Sequence, residues 1–412
     1  MIIIEGLNIL LLAVTVLFIG YYVLLGVLAF TNKREIDYST EKVRKYAIVL
    51  LAQNEGNTFS RSLYSLSGLV YPKNKYDLFV IANNLSDQVI KEAESLGAIA
   101  LMLSEEENAA NKDIILARAF DHIMQRTKQY DALIVFSSDC LVSGNYLKVM
   151  NHYLEQGSEV VQSCHQVLPQ TRNWVQKVLK IEFLINNKIK SLGRRFLGSS
   201  MLLRDTGTCF AVPLLREIRW DINEQKNIIE YGLELQLKGI EIDFAPEAIF
   251  FSEIVDQQNI PSYKKTLLEK YNIIRKYGPR FLKLFIQTKS FQYLDRYIDL
   301  VLPKFSTAIN LIMGAILFNG IGWSIGLIPM IYTIMWLEIM IAGWLCVFML
   351  LVVLEEKDKL VKSTVYLPII FFINISPFWR WFSLSENKKG IKMDKVDRDR
   401  EPLIFSDDNH SM

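Results

Sequence analysis

The sequence predicts an α/β domain, built on a mainly parallel sheet flanked by helices, together with one N-terminal and two to three C-terminal transmembrane segments. Two observations predict it. The 412 residues are 51% hydrophobic with a mean hydropathy of +0.19, too apolar for an ordinary soluble chain. Between residues 45 and 253, short apolar runs rich in β-formers alternate with helical patterns, the order that builds a parallel sheet.

The first span is Gly6 to Phe30, almost continuously apolar and free of charge. It is long enough to cross about 30 Å of hydrocarbon. A cleaved signal peptide fits poorly, because no basic stretch precedes it and no small-x-small site follows it. A second apolar block, Phe305 to Leu354, has room for two spans joined near Gly326 to Met330. A third, Val365 to Phe382, is short and interrupted by Pro368 and Pro377, so it reads as a kinked span or as a re-entrant segment. Lys33, Arg34, Lys42, Arg44 and Lys45 follow the first span and nothing basic precedes it. The positive-inside rule then places the N-terminus outside and the central domain in the cytoplasm, at the inner (plasma) membrane, with membrane lipid as a partner.

In the central domain, Tyr46 to Leu51 reads as a strand and Thr58 to Leu66 as a helix. Asp77 to Ala82 and Ala98 to Leu103 are further strands, Lys91 to Leu96 and Ile114 to Arg126 further helices, and Ala132 to Phe136 another buried strand. Trp174 to Leu192 reads as one long helix, and Phe281 to Leu302 as an amphipathic helix, either packed or lying at the membrane surface; the interfacial reading is the expectation. The expected organisation is a transmembrane helix over 1–32, the α/β domain over 45–280, the interfacial helix over 281–304, transmembrane segments over 305–382 and a mobile polar tail over 383–412.

The four cysteines are scattered without metal-ligand spacing and read as free thiols; the four histidines form no cluster; and a net charge of +2 carries no nucleic-acid signal. The strongest local feature is Asp131-Ala-Leu-Ile-Val-Phe-Ser-Ser-Asp139. Its buried strand ends where an open α/β sheet binds ligands. A divalent cation bridging phosphates wants hard anionic oxygens there, and this strand end supplies one carboxylate, Asp139.

Several strings recur in a meaningful order: Ala52-Gln-Asn-Glu55, Tyr71-Pro72, Ile81-Ala-Asn-Asn-Leu-Ser-Asp87, Arg195-Phe-Leu-Gly-Ser-Ser200, Asp205-Thr-Gly-Thr-Cys-Phe210 and Phe244-Ala-Pro-Glu-Ala248. Together they resemble membrane-bound glycosyltransferase family 2, of GT-A fold, the group of exopolysaccharide, cellulose and hyaluronan synthases. The resemblance covers roughly residues 1 to 380. It implies a nucleotide-sugar donor such as a UDP-sugar, Mg²⁺ or Mn²⁺, and a nascent polysaccharide that passes through the membrane spans. It implies nucleotide-sugar contacts at Ala52, Asn54, Glu55, Asn83, Asn84, Lys112 and Ser138, metal positions at Ser137 and Asp139, and an acceptor side at Asp205, Thr206 and Gly207.

Against that pattern the chemistry is eroded. The family's Ala-Asp-Asn becomes Ala82-Asn83-Asn84, and its Gly-Lys-Gly becomes Asn111-Lys112-Asp113, which loses both permissive glycines and gains a charge of the wrong sign for phosphate. Asp-x-Asp becomes Ser137-Ser138-Asp139. The Thr-Glu-Asp motif that carries the general base falls on Lys226-Asn227-Ile228, or in an alternative register on Ile229-Glu230-Tyr231. Neither register puts a carboxylate at the Asp position, so Ile228 and the later acid Glu230 are vestiges. The Gln-x-x-Arg-Trp helix should lie within 267–278, which contains neither Gln nor Trp, although Arg275 and Lys276 are basic. The expectation is a catalytically inactive pseudo-glycosyltransferase that scaffolds or regulates an active family 2 synthase as a hetero-oligomer in extracellular polysaccharide synthesis. The alternative is an active inverting synthase with displaced groups, Glu230 or Asp205 as base and Asp139 as sole metal ligand.

Overall fold

The computed structural model describes residues 2–30, 38, 42–52, 57–82, 87–102, 112–126, 129–168, 174–220, 227–252, 263–302, 305–353 and 363–369. The chain divides into two compact units, one of residues 1–23, 171–182 and 303–412, the other of residues 24–170 and 183–302.

The second unit is built on one eight-stranded sheet in the order β3-β2-β1-β4-β7-β6-β8-β5. In chain order the strands are β1 (Tyr46–Ala52), β2 (Tyr76–Ala82), β3 (Ile99–Met102), β4 (Ala132–Ser137), β5 (Leu141–Val142), β6 (Val160–Val167), β7 (Thr208–Ala211) and β8 (Ile242–Ser252). Four of the seven pairings are parallel: β1 with β2, β1 with β4, β2 with β3, and β6 with β8. The other three are antiparallel, which makes the sheet mixed on the β7 side.

β1 is buried along its whole length because both faces are covered. On one face Tyr46, Ile48 and Leu50 pack with Phe59, Leu63 and Leu66 of helix α2 (Asn57–Ser67). On the other, Ala47, Val49 and Leu51 pack with Ile115, Leu116 and Phe120 of helix α4 (Lys112–Arg126), which follows α3 (Asp87–Ser95). The alternation follows from the two-residue period of a strand. In the register, Leu51 lies beside Ser137 and Ala52 beside Ala82. The carboxyl ends of β1, β2 and β4 therefore finish level, at one edge of the sheet.

Two local features shape the β6–β8 region. Ser163 pairs with Ala245 and Cys164 with Ile249, so Pro246, Glu247 and Ala248 bulge from β8. Proline has no N–H to give a ladder, and a bulge is where a strand tolerates it. Gly207 takes φ +68°, and a Cβ there would sit 2.3 Å from both Phe250 and Ser163, so only glycine fits.

The stretch expected as one helix over Trp174 to Leu192 is α6 (Trp174–Leu184), a π-turn (Ile185–Ile189) and α7 (Lys190–Phe196). α5 (Tyr146–Glu155) precedes it, and α8 (Val212–Glu217) and α9 (Ile228–Leu237) follow. The segment 281–304, expected as a single amphipathic helix, divides at Lys289 and Ser290 between α10 (Tyr263–Thr288) and α11 (Phe291–Val301). Lys289 has a positive φ of 57°, which ends α10. The buried side of α11 is the charged one: Asp295 and Asp299 are buried and meet Arg194 and Lys190 of α7. Arg194 Nε donates to Asp295 Oδ2 at 2.8 Å. Burial pushes the Asp299 carboxyl up, but the Arg194 and Lys190 cations outweigh it and hold the group below the usual carboxylate range.

Among the described residues three helices are long and apolar enough to cross a membrane, with spans at Ile4–Phe30, Thr307–Ser324 and Met330–Val352; the last two lie in the first unit, and the first is divided after Val23 between the two units. They belong to α1 (Ile2–Phe30), α12 (Phe305–Ser324) and α13 (Met330–Val353). A short 3-10 helix, Ser363–Ile369, follows. The rest of the expected segment up to residue 382, and the tail over 383–412, lie outside the described residues. Three buried polar side chains meet inside the unit: Asn319 Nδ2 donates to Asn8 Oδ1 at 2.9 Å and Trp336 Nε1 donates to the same oxygen at 3.2 Å. Without water, such groups must satisfy one another.

Candidate functional site

The site region is the carboxyl edge of β1, β2 and β4, where helix N-termini and loops converge in sheets of this kind. Ala52 ends β1, in register with Ala82. Asn54, Glu55, Asn83 and Asn84 lie outside the described residues.

At the end of β4, Ser137 donates its backbone N–H to Thr206 Oγ1 at 3.2 Å, and its hydroxyl lies 3.6 Å from Cys140 Sγ. Cys140 Sγ is also 3.3 Å from Thr206 Oγ1. The Ser138 carbonyl accepts from Ser62 Oγ at 2.9 Å, which ties the turn to α2. Asp139 is partly exposed. Burial, with Asp139 beside it, pushes the Cys140 thiol up to about 11, so it offers no thiolate at neutral pH. The described residues contain no group of three or more His, Cys, Asp or Glu placed to hold a metal ion. A divalent cation at this strand end would find one carboxylate and two neutral hydroxyls, so most of its ligands would have to come from phosphate oxygens and water.

Lys112 opens α4, and its Nζ sits 2.9 Å from Asp205 Oδ2. Burial pushes the Asp205 carboxyl up, but the Lys112 ammonium and its hydrogen bond outweigh that and keep it below the usual carboxylate range. Lys112, expected on the phosphate side, is therefore paired with Asp205, expected on the acceptor side.

The neighbouring Asp113 does something the sequence did not suggest. Its Oδ1 accepts the backbone N–H of Ile228, at 3.3 Å, at the start of α9. Asn227, the N-cap of that helix, accepts the Glu230 N–H on its own Oδ1 at 2.8 Å. Two of the orphan donors at the α9 N-terminus are thus satisfied, one from within and one from α4. Burial raises the Asp113 carboxyl, and the Ile228 amide offsets part of that rise. Ile228 itself is 2% exposed and packs in the core with Phe120 and Tyr231.

Glu230 is not left facing the site alone. Lys276 Nζ of α10 approaches Glu230 Oε1 at 2.8 Å. The helix expected to carry Gln-x-x-Arg-Trp thus lends a cation to a carboxylate, while Tyr277 beside it donates to Glu234 at 3.3 Å.

Gln162, absent from the sequence-based candidates, organises the loop over residues 204–208. Its Nε2 donates to the carbonyls of Thr206 and Gly207 at 3.0 and 3.2 Å, and its Oε1 accepts from Arg204 N and Thr208 Oγ1, both at 2.9 Å. The one sequence signal was a lone amide inside the apolar run Val160-Val-Gln162. The structure thus brings Lys112 to Asp205, Ser137 to Thr206, Asp113 to Ile228 and Lys276 to Glu230.

The mannosyltransferase PcManGT from Pyrobaculum calidifontis, in complex with GDP-Man and Mn²⁺, has a similar fold. The TM-score is 0.51 at 11% identity, over 83% of this chain and 97% of that one. TarS from S. aureus in complex with UDP-GlcNAc gives a TM-score of 0.39 at 12% identity, over 86% of this chain and 95% of that one. No curated protein matches the sequence. A family model described as glycosyltransferase like family 2 matches residues 44–288, which contain the sheet, the strand-end turn and the α4–α9 contacts described above. With more than half of its length on that model, the chain belongs to the family 2 glycosyltransferase-like proteins.

Proposed function

We propose that this protein is a catalytically inactive family 2 glycosyltransferase-like membrane protein, which scaffolds or regulates an active synthase of an extracellular polysaccharide. The observation that carries the reading is the pairing of Asp113 with the Ile228 amide. Isoleucine stands where the resemblance puts the general base, and it cannot take a proton. Asp113 stands where a phosphate loop needs permissive, uncharged backbone, and it serves as a helix cap instead. The same self-satisfaction recurs in Lys112 with Asp205 and in Lys276 with Glu230. The cations that would meet a diphosphate are neutralised by the chain's own carboxylates.

In this reading the α/β domain is cytoplasmic at the inner (plasma) membrane, and α11 rests on the membrane surface. Its charges are turned inward to α7 while Phe291 and Val301 are 47% and 44% exposed, which suits a headgroup boundary. The partner supplies the intact metal and base motifs, and the nascent polysaccharide belongs to that partner's reaction. The test is sugar transfer by the purified full chain from UDP-sugars with Mg²⁺ or Mn²⁺, alongside calorimetry with UDP. No transfer is expected; transfer abolished by Asp139→Ala would overturn the proposal.

One observation favours the second reading, an active synthase with displaced groups. Asp205 has a half-exposed side chain, so an accessible carboxylate stands at the position expected to face an acceptor. Transfer lost in Asp205→Asn but retained in Glu230→Gln would support that reading.

A further inference from the structure

Glu338 lies within the apolar helix α13, nine residues into a span that runs from Met330 to Val352. It stands about 12 Å along the helix from Met330, at 1.5 Å per residue. Three polar side chains of these helices, Asn8, Asn319 and Trp336, are buried and linked by hydrogen bonds through Asn8. Glu338 does the opposite. It is exposed, and among the described residues no cation or hydrogen-bond donor meets it. Its neighbours one and two turns away on the same face, Ile331, Ile334, Met335, Ile341 and Leu345, are exposed and apolar. Ala342, one turn on, is exposed and small, which leaves room beside the carboxylate for a close approach.

A carboxylate on a lipid-facing helix surface is costly, and in folded membrane proteins such groups pair with an opposite charge or line a polar path. No polar path is built here, since the surrounding face is apolar. We infer that this face of α13 docks a transmembrane helix of a partner polypeptide that carries a lysine or arginine at the depth of Glu338. The apolar side chains on either side supply the packing, and the ion pair sets register and partner choice. A second copy of this chain fits less well, because a symmetric contact would bring Glu338 against Glu338. The inference rests on the scaffold reading above and gives its partner a chemistry, but its readout does not involve the α/β domain.

The test places the full chain, donor-labelled, in phosphatidylcholine vesicles with an acceptor-labelled polyleucine transmembrane peptide bearing one lysine about 12 Å from one end of its helix. The control peptide has leucine at that position. Energy transfer is expected to report about tenfold stronger association of the lysine peptide than of the control. That preference should vanish in Glu338→Leu and weaken in Glu338→Gln. Glu338→Leu alters only an exposed apolar face, and an unchanged melting curve confirms that it folds. Equal association of the two peptides, or a preference that persists in Glu338→Leu, overturns the inference. Glu338-dependent transfer between two labelled copies of this chain without peptide assigns the face to self-association and overturns it too. Sugar transfer by the purified chain would overturn the scaffold reading alone, whereas these outcomes read Glu338 alone.

Discussion

Asp113 Oδ1 accepts the backbone N–H of Ile228 at 3.3 Å, linking the first turn of α4 to the first turn of α9. Two positions 115 residues apart in sequence, both expected to depart from the family pattern, thus meet in one hydrogen bond. Asp113→Ala should destabilise the protein by about 1 kcal/mol, the usual worth of a helix cap, and Asp113→Asn should retain most of it. Installing a base by Ile228→Asp should cost about 3 kcal/mol or more, because it buries a second carboxylate beside the first. A double-mutant cycle in urea with Asp113→Ala and Ile228→Asp measures the coupling. Strictly additive costs would show that the two positions act independently.

Lys112 and Asp205 form a half-exposed pair. Its contribution to stability should be no more than about 1 kcal/mol. Asp205→Ala is therefore expected to leave the melting temperature almost unchanged while freeing the lysine for phosphate. Calorimetry with UDP should show weaker binding to wild type than to Asp205→Ala. Equal or weaker binding to the variant would refute the idea that Asp205 occludes this cation.

Arg194 is buried between Asp295 and Asp299. Arg194→Ala leaves two carboxylates buried without their main partner and should cost about 3–5 kcal/mol. Thermal melts followed by circular dichroism would check this. Asp295→Ala should be less damaging, since Arg194 keeps Asp299.

His165 is stacked on Phe250 at 4.3 Å and bonded to Ser252 Oγ. Burial, helped by the Arg204 cation, lowers its pKa to about 3. The folded protein keeps the imidazole neutral while the unfolded chain takes up a proton near pH 6.5. The stability that His165 contributes is therefore complete above about pH 6.5 and declines as the pH falls toward the folded value, by up to ~1.4 kcal/mol per pH unit. Denaturant melts of wild type between pH 7 and pH 4 should show this slope, and His165→Gln should flatten it.

Asn8, Asn319 and Trp336 join three apolar helices through one carbonyl oxygen. Asn8→Leu removes the shared acceptor and should weaken the bundle by about 0.6 to 1.7 kcal/mol, the range found for hydrogen bonds inside membranes. Unfolding in mixed micelles measures it.

Much of the architecture was legible in the sequence, for identifiable reasons. β1, β2 and β4 are buried on both faces, so they appear as unbroken apolar runs, and the spans are longer still. β5, β6, β7 and β8 were not read from the sequence: β5 and β7 have only 2 and 4 residues, and Gln162 with Ser163 in β6 and Pro246 in β8 interrupt the apolar runs. The residue types at Ser137, Lys112 and Ile228, on which the expectation of eroded motifs rests, could be read directly. Their partners could not, because Asp205, Thr206 and Asp113 reach them across gaps of 69 to 115 residues.

The break between α10 and α11 escaped for another reason. Lys289 adopts a left-handed conformation that lysine rarely takes, so no residue type announced it. Asp295 and Asp299, two of the charges that made 281–304 read as amphipathic, are buried against Arg194 and Lys190.

By itself, the sequence determined that an α/β sheet would form beside apolar spans, and which residues, Ser137, Asp139 and Ile228 among them, stand at the positions expected for metal and base. Both are local properties, set by side-chain polarity and strand or helix period. Only the tertiary structure decided what the remaining charges do. Lys112, Asp113, Glu230 and Arg194 could each have faced a ligand or water, and the fold gave each a partner from a distant element. Charge pairing acts through space and is blind to sequence separation, so only the folded chain settles it.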